Sequence, residues 1–220
     1  MALNKLKFNS INVTPAASEA IRFNSGANGF ETASAGGNLA LIKTTTLGSA
    51  AASISFVDGA SSVVLDSTYK EYIFYFNNIH PASASSFTFN LSADTGSNYN
   101  VTKTTTAFQA EHAENDGTPQ LEYRASDDLA QATGYQLIGD GIGAENDNSL
   151  SGFLHLFEPS STTFIKHFII ASQQLTGGTQ HSKNSYVAGY ANTTSAVDAI
   201  DFKMASGNID AGSISMYGVL

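Results

Sequence analysis

The chain of 220 residues has no cysteine and no tryptophan. The first absence excludes disulfide staples, thiolate zinc sites and cysteine nucleophiles. The second removes the aromatic that most often builds a sugar-stacking platform, although 9 Tyr and 14 Phe remain. Charge is scarce too: Asp, Glu, Lys and Arg make up 13% of the chain, about half the usual share. Ser, Thr, Asn, Gly and Ala take their place. The 10 basic and 19 acidic residues leave a net charge of -9. With no Lys/Arg cluster, that charge opposes nucleic-acid binding and docking on anionic lipid. No apolar run approaches the ~20 residues of a membrane span. The opening MALNKLKFNSINV interrupts with Asn and Ser the apolar core that a signal peptide needs, so neither membrane insertion nor export is expected. The four Asn-x-Ser/Thr sequons, at Asn12, Asn90, Asn100 and Asn192, carry little weight in a chain rich in Asn and Thr.

Helical periodicity is nearly absent as well. Only residues 126–131, SDDLAQ, offer a capping Ser126 and two acids for a single helical turn. What is present is alternation with period two, the mark of strands with one buried face and one wet face. In SFTFNLSA, residues 86–93, Phe87, Phe89, Leu91 and Ala93 share one face and Ser86, Thr88, Asn90 and Ser92 the other. Residues 69–79, YKEYIFYFNNI, set Tyr72, Phe74 and Phe76 against Ile73 and Tyr75. With both faces partly apolar, this reads as a central strand or one turned toward a second chain. Further strands are expected at 150–157, 164–171, 186–191, 197–204 and 212–218, each bounded by turn residues. In the last, Ile214, Met216 and Gly218 share a face, as in a strand paired inside a sheet. The expected fold is an all-β antiparallel sandwich or jelly roll over residues 51–220. Residues 1–50, with small apolar clusters among polar loops and a joint at 48–52, read as an N-terminal arm or attachment segment.

Three stretches gather groups that could carry chemistry. Residues 111–116, EHAEND, hold an imidazole and three carboxylates, but in an extended segment neighbours point to opposite faces, so a solvated loop is expected. The acidic, glycine-rich run 139–148, GDGIGAENDN, lacks the Lys-Ser/Thr of a phosphate loop, and its carboxylates would repel phosphate. A hard cation suits it better, which makes Asp140, Glu145 and Asp147 the candidate ligands for a Ca²⁺ ion, although the spacing fits no EF-hand and a plain acidic loop is the simpler expectation. His155 and His167 fall in expected strands, where they form a proton-sensitive pair or, more simply, two half-buried histidines. Ser160, Ser161 and Ser182 lack a nucleophile elbow. No catalytic motif is present, and a non-enzymatic role is expected.

Several blocks carry a resemblance. They are HP at 80–81, NYNVTKTTT at 98–106, DLAQ at 128–131, HLFEPSSTT at 155–163, KH at 166–167, GYANTTSA at 189–196, and the run from SGNIDAG at 206–212 to YG at 217–218. Together, over residues 53–220, they resemble a group of small β-rich virion structural proteins of tailed bacteriophages, especially marine phages and cyanophages. The resemblance implies a structural role as a tail fibre, knob or capsid decoration, with other capsid or tail proteins as partners. It also implies a homo-oligomer, a trimer above all, assembled in the host bacterial cytoplasm. It brings no active-site residue with it. A carbohydrate-binding adhesin domain that contacts host surface glycan is the alternative.

Overall fold

The computed structural model describes residues 19–34, 38–178 and 180–219. Its regular elements are all strands. In chain order they are β1 (Glu19–Phe23), β2 (Phe30–Ser34), β3 (Leu39–Thr46), β4 (Ile54–Val57), β5 (Glu71–Pro81), β6 (Ser85–Ser92) and β7 (Lys103–Ala113). They continue with β8 (Gln120–Tyr123), β9 (Gln136–Ile142), β10 (Leu150–Phe157), β11 (Lys166–Leu175), β12 (His181–Ala191), β13 (Ala199–Met204) and β14 (Ile209–Val219). The chain divides into two compact units, Met1–Ala40 and Leu41–Leu220. In the first, β1 and β2 form an antiparallel hairpin in which Phe23 opposes and stacks on Phe30 at 5.0 Å.

The second unit is an antiparallel sandwich. One sheet has eight strands in the order β3-β14-β5-β10-β11-β12-β7-β8, and the other has four in the order β4-β13-β6-β9. Their facing sides make one core. Phe202 of β13 sits at its centre, with ring centroids 5.3 to 6.4 Å from Phe56, Phe74, Phe76, Phe87 and Phe89. A ring at such a hub is worth about 3–5 kcal/mol against truncation to alanine. The expected alternation supplies this layer: Tyr72, Phe74 and Phe76 all face inward from β5, which lies between β14 and β10 as a central strand should.

The end of the chain is held as its pattern implies. β14 runs between β3 and β5, with Ile214 and Met216 fully buried. The Tyr69 ring lies over Gly218, where a Cβ would come within 2.3 Å of it. Ala51, within the stretch read as a joint, exchanges two backbone hydrogen bonds with Ile209, at 2.8 and 2.9 Å.

Four local expectations are corrected. The polar side of β6 is not wet: Thr88, Asn90 and Ser92 are buried, because the loops at 94–102 and 126–135 cover the outer face of the small sheet. Asn90 donates to the carbonyls of Tyr99 and Thr133 there, and Tyr135 donates to Asp201 at 2.9 Å. Residues 126–131 form a turn, not a helix. Residues 111–113 are the end of β7 rather than a loop. Gly139 and Asp140 also belong to a strand, β9, where a Cβ on Gly139 would meet Leu150 at 2.3 Å. Both strands were hidden because their inward positions carry polar or very small groups, such as Lys103, Thr105, Gln109 and Gly139.

Candidate functional site

The outer face of the large sheet contrasts with that of the small one. Here two central rows of outward positions are largely apolar, aligned across the strands by the hydrogen-bonded registers, and polar side chains such as Ser151, Gln173 and Asn184 flank them. One row runs Tyr75, Phe153, Ala171, Tyr186, Phe108, Tyr123 from β5 to β8. The next runs Tyr217, Ile73, His155, Ile169, Ala188, Thr106 from β14 to β7. Rings touch along the rows: Phe108 stacks on Tyr186 at 5.1 Å, and Tyr75 packs edge-on against both Phe153 and Tyr217. Phe108, Tyr186 and Ile169 are each more than 40% exposed. Small residues set low points among them, and a hollow of about 490 Å³ lies over Ala188, Ile169 and Tyr190.

His155 and His167 both point outward on this face. His155 Nδ1 lies 2.6 Å from the Glu71 carboxylate and its ring lies between Phe153 and Phe157, while His167 lies against Tyr190. Each therefore sits in an aromatic setting on a sheet face. Ser182 accepts from the Gln173 amide at 2.9 Å, and Ser161 accepts from the Thr163 and Phe164 amides, so both hydroxyls serve structure.

The candidate cation ligands separate. Asp140, on β9, accepts from Ser86 at 3.1 Å and lies 3.5 Å from Arg124 and 3.6 Å from Lys183. Arg124 also binds Glu122 and Asp127, and Lys183 also approaches Glu111. The hydrogen bond to Glu122 leads the causes that raise the Arg124 pKa, with Asp127 adding to it. Asp140 thus shares two cations of the protein with three other carboxylates. Glu111 and His112, expected in a loop, point to opposite faces of β7: Glu111 inward to Lys183, His112 outward to Asp116. Among the described residues no group of three or more His, Asp or Glu side chains is arranged to hold a metal ion.

Glu145 and Asp147 lie instead beside a polar cleft of about 560 Å³, whose walls include Asn78, His80, Asp147, Asn148 and Asp210. Backbone irregularity builds it. The β5/β14 register shifts twice near Ala211, with Asn78 and Gly212 at φ of 50° and 112°. His80 then bridges two acceptors: its Nδ1 meets Asp210 at 2.6 Å, and its Nε2 meets the Glu145 carbonyl at 3.1 Å. Both partners offer acceptor oxygens, an arrangement that favours the doubly protonated, cationic ring. Burial opposes that charge, but the Asp210 and Glu145 contacts outweigh it and raise the His80 pKa. Asn148 donates to the Glu145 carboxylate and buries a carbonyl oxygen that has no hydrogen-bond partner. No spacing in the sequence joins His80 to Asp210, 130 residues apart.

Two buried lysines also escape sequence reasoning. Lys103 and Lys166 both face inward and flank Ala191 in one row of the sheet. Neither ammonium has a carboxylate among its hydrogen-bond acceptors: Lys166 donates to the carbonyls of Ser161, Phe164 and Thr193, and Lys103 to that of Val101 at 2.7 Å and to the Asn90 side chain. Burial lowers both pKa values, that of Lys103 to about 8. Comparison with known proteins gives no match, whether to a family model, a curated protein or a solved structure.

Proposed function

We propose that this chain is a non-enzymatic structural protein of a tailed-bacteriophage particle, a self-associating appendage or capsid decoration attached through its N-terminal segment. The observation that carries the proposal is the asymmetry of the sandwich. Loops cover the polar outer face of the small sheet, while the large sheet presents an aromatic face to solvent, as a subunit built for assembly does. The sequence resemblance over residues 53–220 supports the particle as the place of assembly. The β1–β2 hairpin supports the attachment role, because Phe23 is 67% exposed and Ile21 and Phe30 are also exposed. The test is mass spectrometry and electron cryomicroscopy of purified particles that encode the chain. Many copies per particle, with density for the sandwich, are expected. A chain found only free in the lysate overturns the proposal.

A second reading, a carbohydrate-binding adhesin, is favoured by the cleft at His80 and Asp210. Its carboxylate, amide and imidazole walls suit a ligand rich in hydroxyls. Binding on a glycan array that disappears in Asp210→Asn would establish it, and an array without hits would remove it.

A further inference from the structure

We infer that the outer face of the eight-stranded sheet is the docking surface for a second copy of this chain, with the two faces packed on each other about a twofold axis. The inference rests on the self-assembling role proposed above and names its interface.

Size is the first argument. Seven strands, β14 to β8, at about 4.8 Å spacing give a width of about 34 Å, and four rows of outward side chains extend about 25 Å along the strands. The face therefore offers ~850 Å² per copy, close to the ~800 Å² that each partner contributes to a standard stable interface. Composition is the second. The aromatic and aliphatic side chains are contiguous through the two central rows, with polar side chains such as Ser151, Gln173, Asn184 and Thr104 in the rows that flank them, and aromatics at the centre of a patch are the groups that dominate association energy.

Charge selects the occupant. The chain carries -9 overall, so two copies repel through most orientations. The rows of this face contain a single carboxylate, Glu71, and His155 holds it at 2.6 Å. On this face two anionic copies meet with no unpaired acid among the rows, whereas a basic partner would find little to bind. Geometry selects the symmetry. A sheet face that meets the same face of its partner makes an isologous contact, which closes as a pair. Aligned sheet packing keeps the two strand directions within about 30° of each other. In that arrangement Ile169, standing proud beside Ala188, has the partner's hollow at Ala188 to fill. The sequence resemblance implies a trimer; this surface specifies a twofold unit instead.

The test is sedimentation equilibrium of the full chain from about 1 to about 100 μM, the range in which an interface of this size associates. The expected mass is twice the 23.1 kDa of one chain. Ile169→Glu would place a carboxylate at the centre and raise the dissociation constant by about a hundredfold or more. Tyr186→Lys, an independent substitution in the adjacent row, would weaken the pair similarly. Phe164→Ser, at an exposed aromatic in the loop before β11, would leave it unchanged. Circular dichroism identifies the variants that fold. A monomer at the highest concentration, a trimer, or a dimer that persists in folded Ile169→Glu and Tyr186→Lys overturns the inference. Particle incorporation separates the two levels: copies present in particles alongside any of those results sink the twofold face but not the structural role, while absence from particles sinks the role itself.

Discussion

Replacement of Lys103 by methionine tests the energetics of the interior with a defined sign and size. The side chain is fully buried, and burial lowers its pKa from 10.5 to about 8. A depressed basic group weakens the fold while it is charged, below about pH 8, and the penalty disappears as pH rises toward its unfolded value of 10.5. The shift corresponds to ~3 kcal/mol, most of which is recovered between pH 7 and pH 10. Lys103→Met removes this titration and leaves the Val101 carbonyl without its Lys103 donor, a loss of about 1–3 kcal/mol. Asn90 Oδ1 keeps its bond from the Leu91 amide at 2.9 Å. The two effects nearly cancel at pH 7, so the variant should match the parent there. By pH 10 it should be less stable by ~2 kcal/mol or more. Tyrosine ionisation does not blur the comparison, because burial pushes Tyr72 up to about 12 and raises Tyr135, and both proteins share these groups. Urea unfolding at pH 7, 8.5 and 10 reads the difference directly. A stability gap between the two proteins that stays flat across that range would refute a buried, destabilising ammonium.

His80 has the opposite sign. Its raised pKa adds stability that is whole below its unfolded value near 6.5 and fades as pH climbs through the higher folded value, so the melting-temperature gap between the parent and His80→Gln should close from pH 5 to 9, and a constant gap would contradict the Asp210–His80–Glu145 bridge. Deletion of residues 1–38 keeps β3 and should leave a sandwich with near-parental melting that no longer enters particles. Deletion of 1–48 also strips β3 from β14 and should lower the melting temperature as well, a contrast that calorimetry can check. Gly212→Ala would set a Cβ 2.6 Å from the Asn78 carbonyl at a φ of 112°, so its urea midpoint should fall by the equivalent of ~1–3 kcal/mol, and an unchanged midpoint would mean the double bulge is not rigid.

The inner layer was legible because aromatic and polar residues alternate there without interruption. Residues 86–93 and 69–79 show their core faces directly, and β10 matches its expected span of 150–157. What stayed hidden shares one cause. β7 places Lys103, Thr105, Gln109 and Glu111 inward, where Asn90, Gln136, Glu122 and Lys183 from other segments meet them, so no period-two apolar signal exists to read. The same blindness made the polar side of β6 look wet, since nothing local shows that the loop at 126–135 folds back over it.

The outward aromatic rows expose a deeper limit. Each strand's share was visible: Tyr75, Phe153 with His155, Ile169 and Tyr186 all stand opposite core positions in their own segments. Alternation fixes which side of its own strand a residue takes, but only register fixes its neighbours, and register depends on bulges such as the shift between Leu150 and Gly152. A slip of one residue in β10 would send Phe153 and His155 into the core and leave Leu154 and Leu156 in water. The burial of Leu154 and Leu156 against Phe168 and Ile170 forbids that slip. The inner core thus sets the outer face: packing demanded by the buried layer aligns the exposed rings into rows, and an aromatic face emerges with no contiguous motif to announce it.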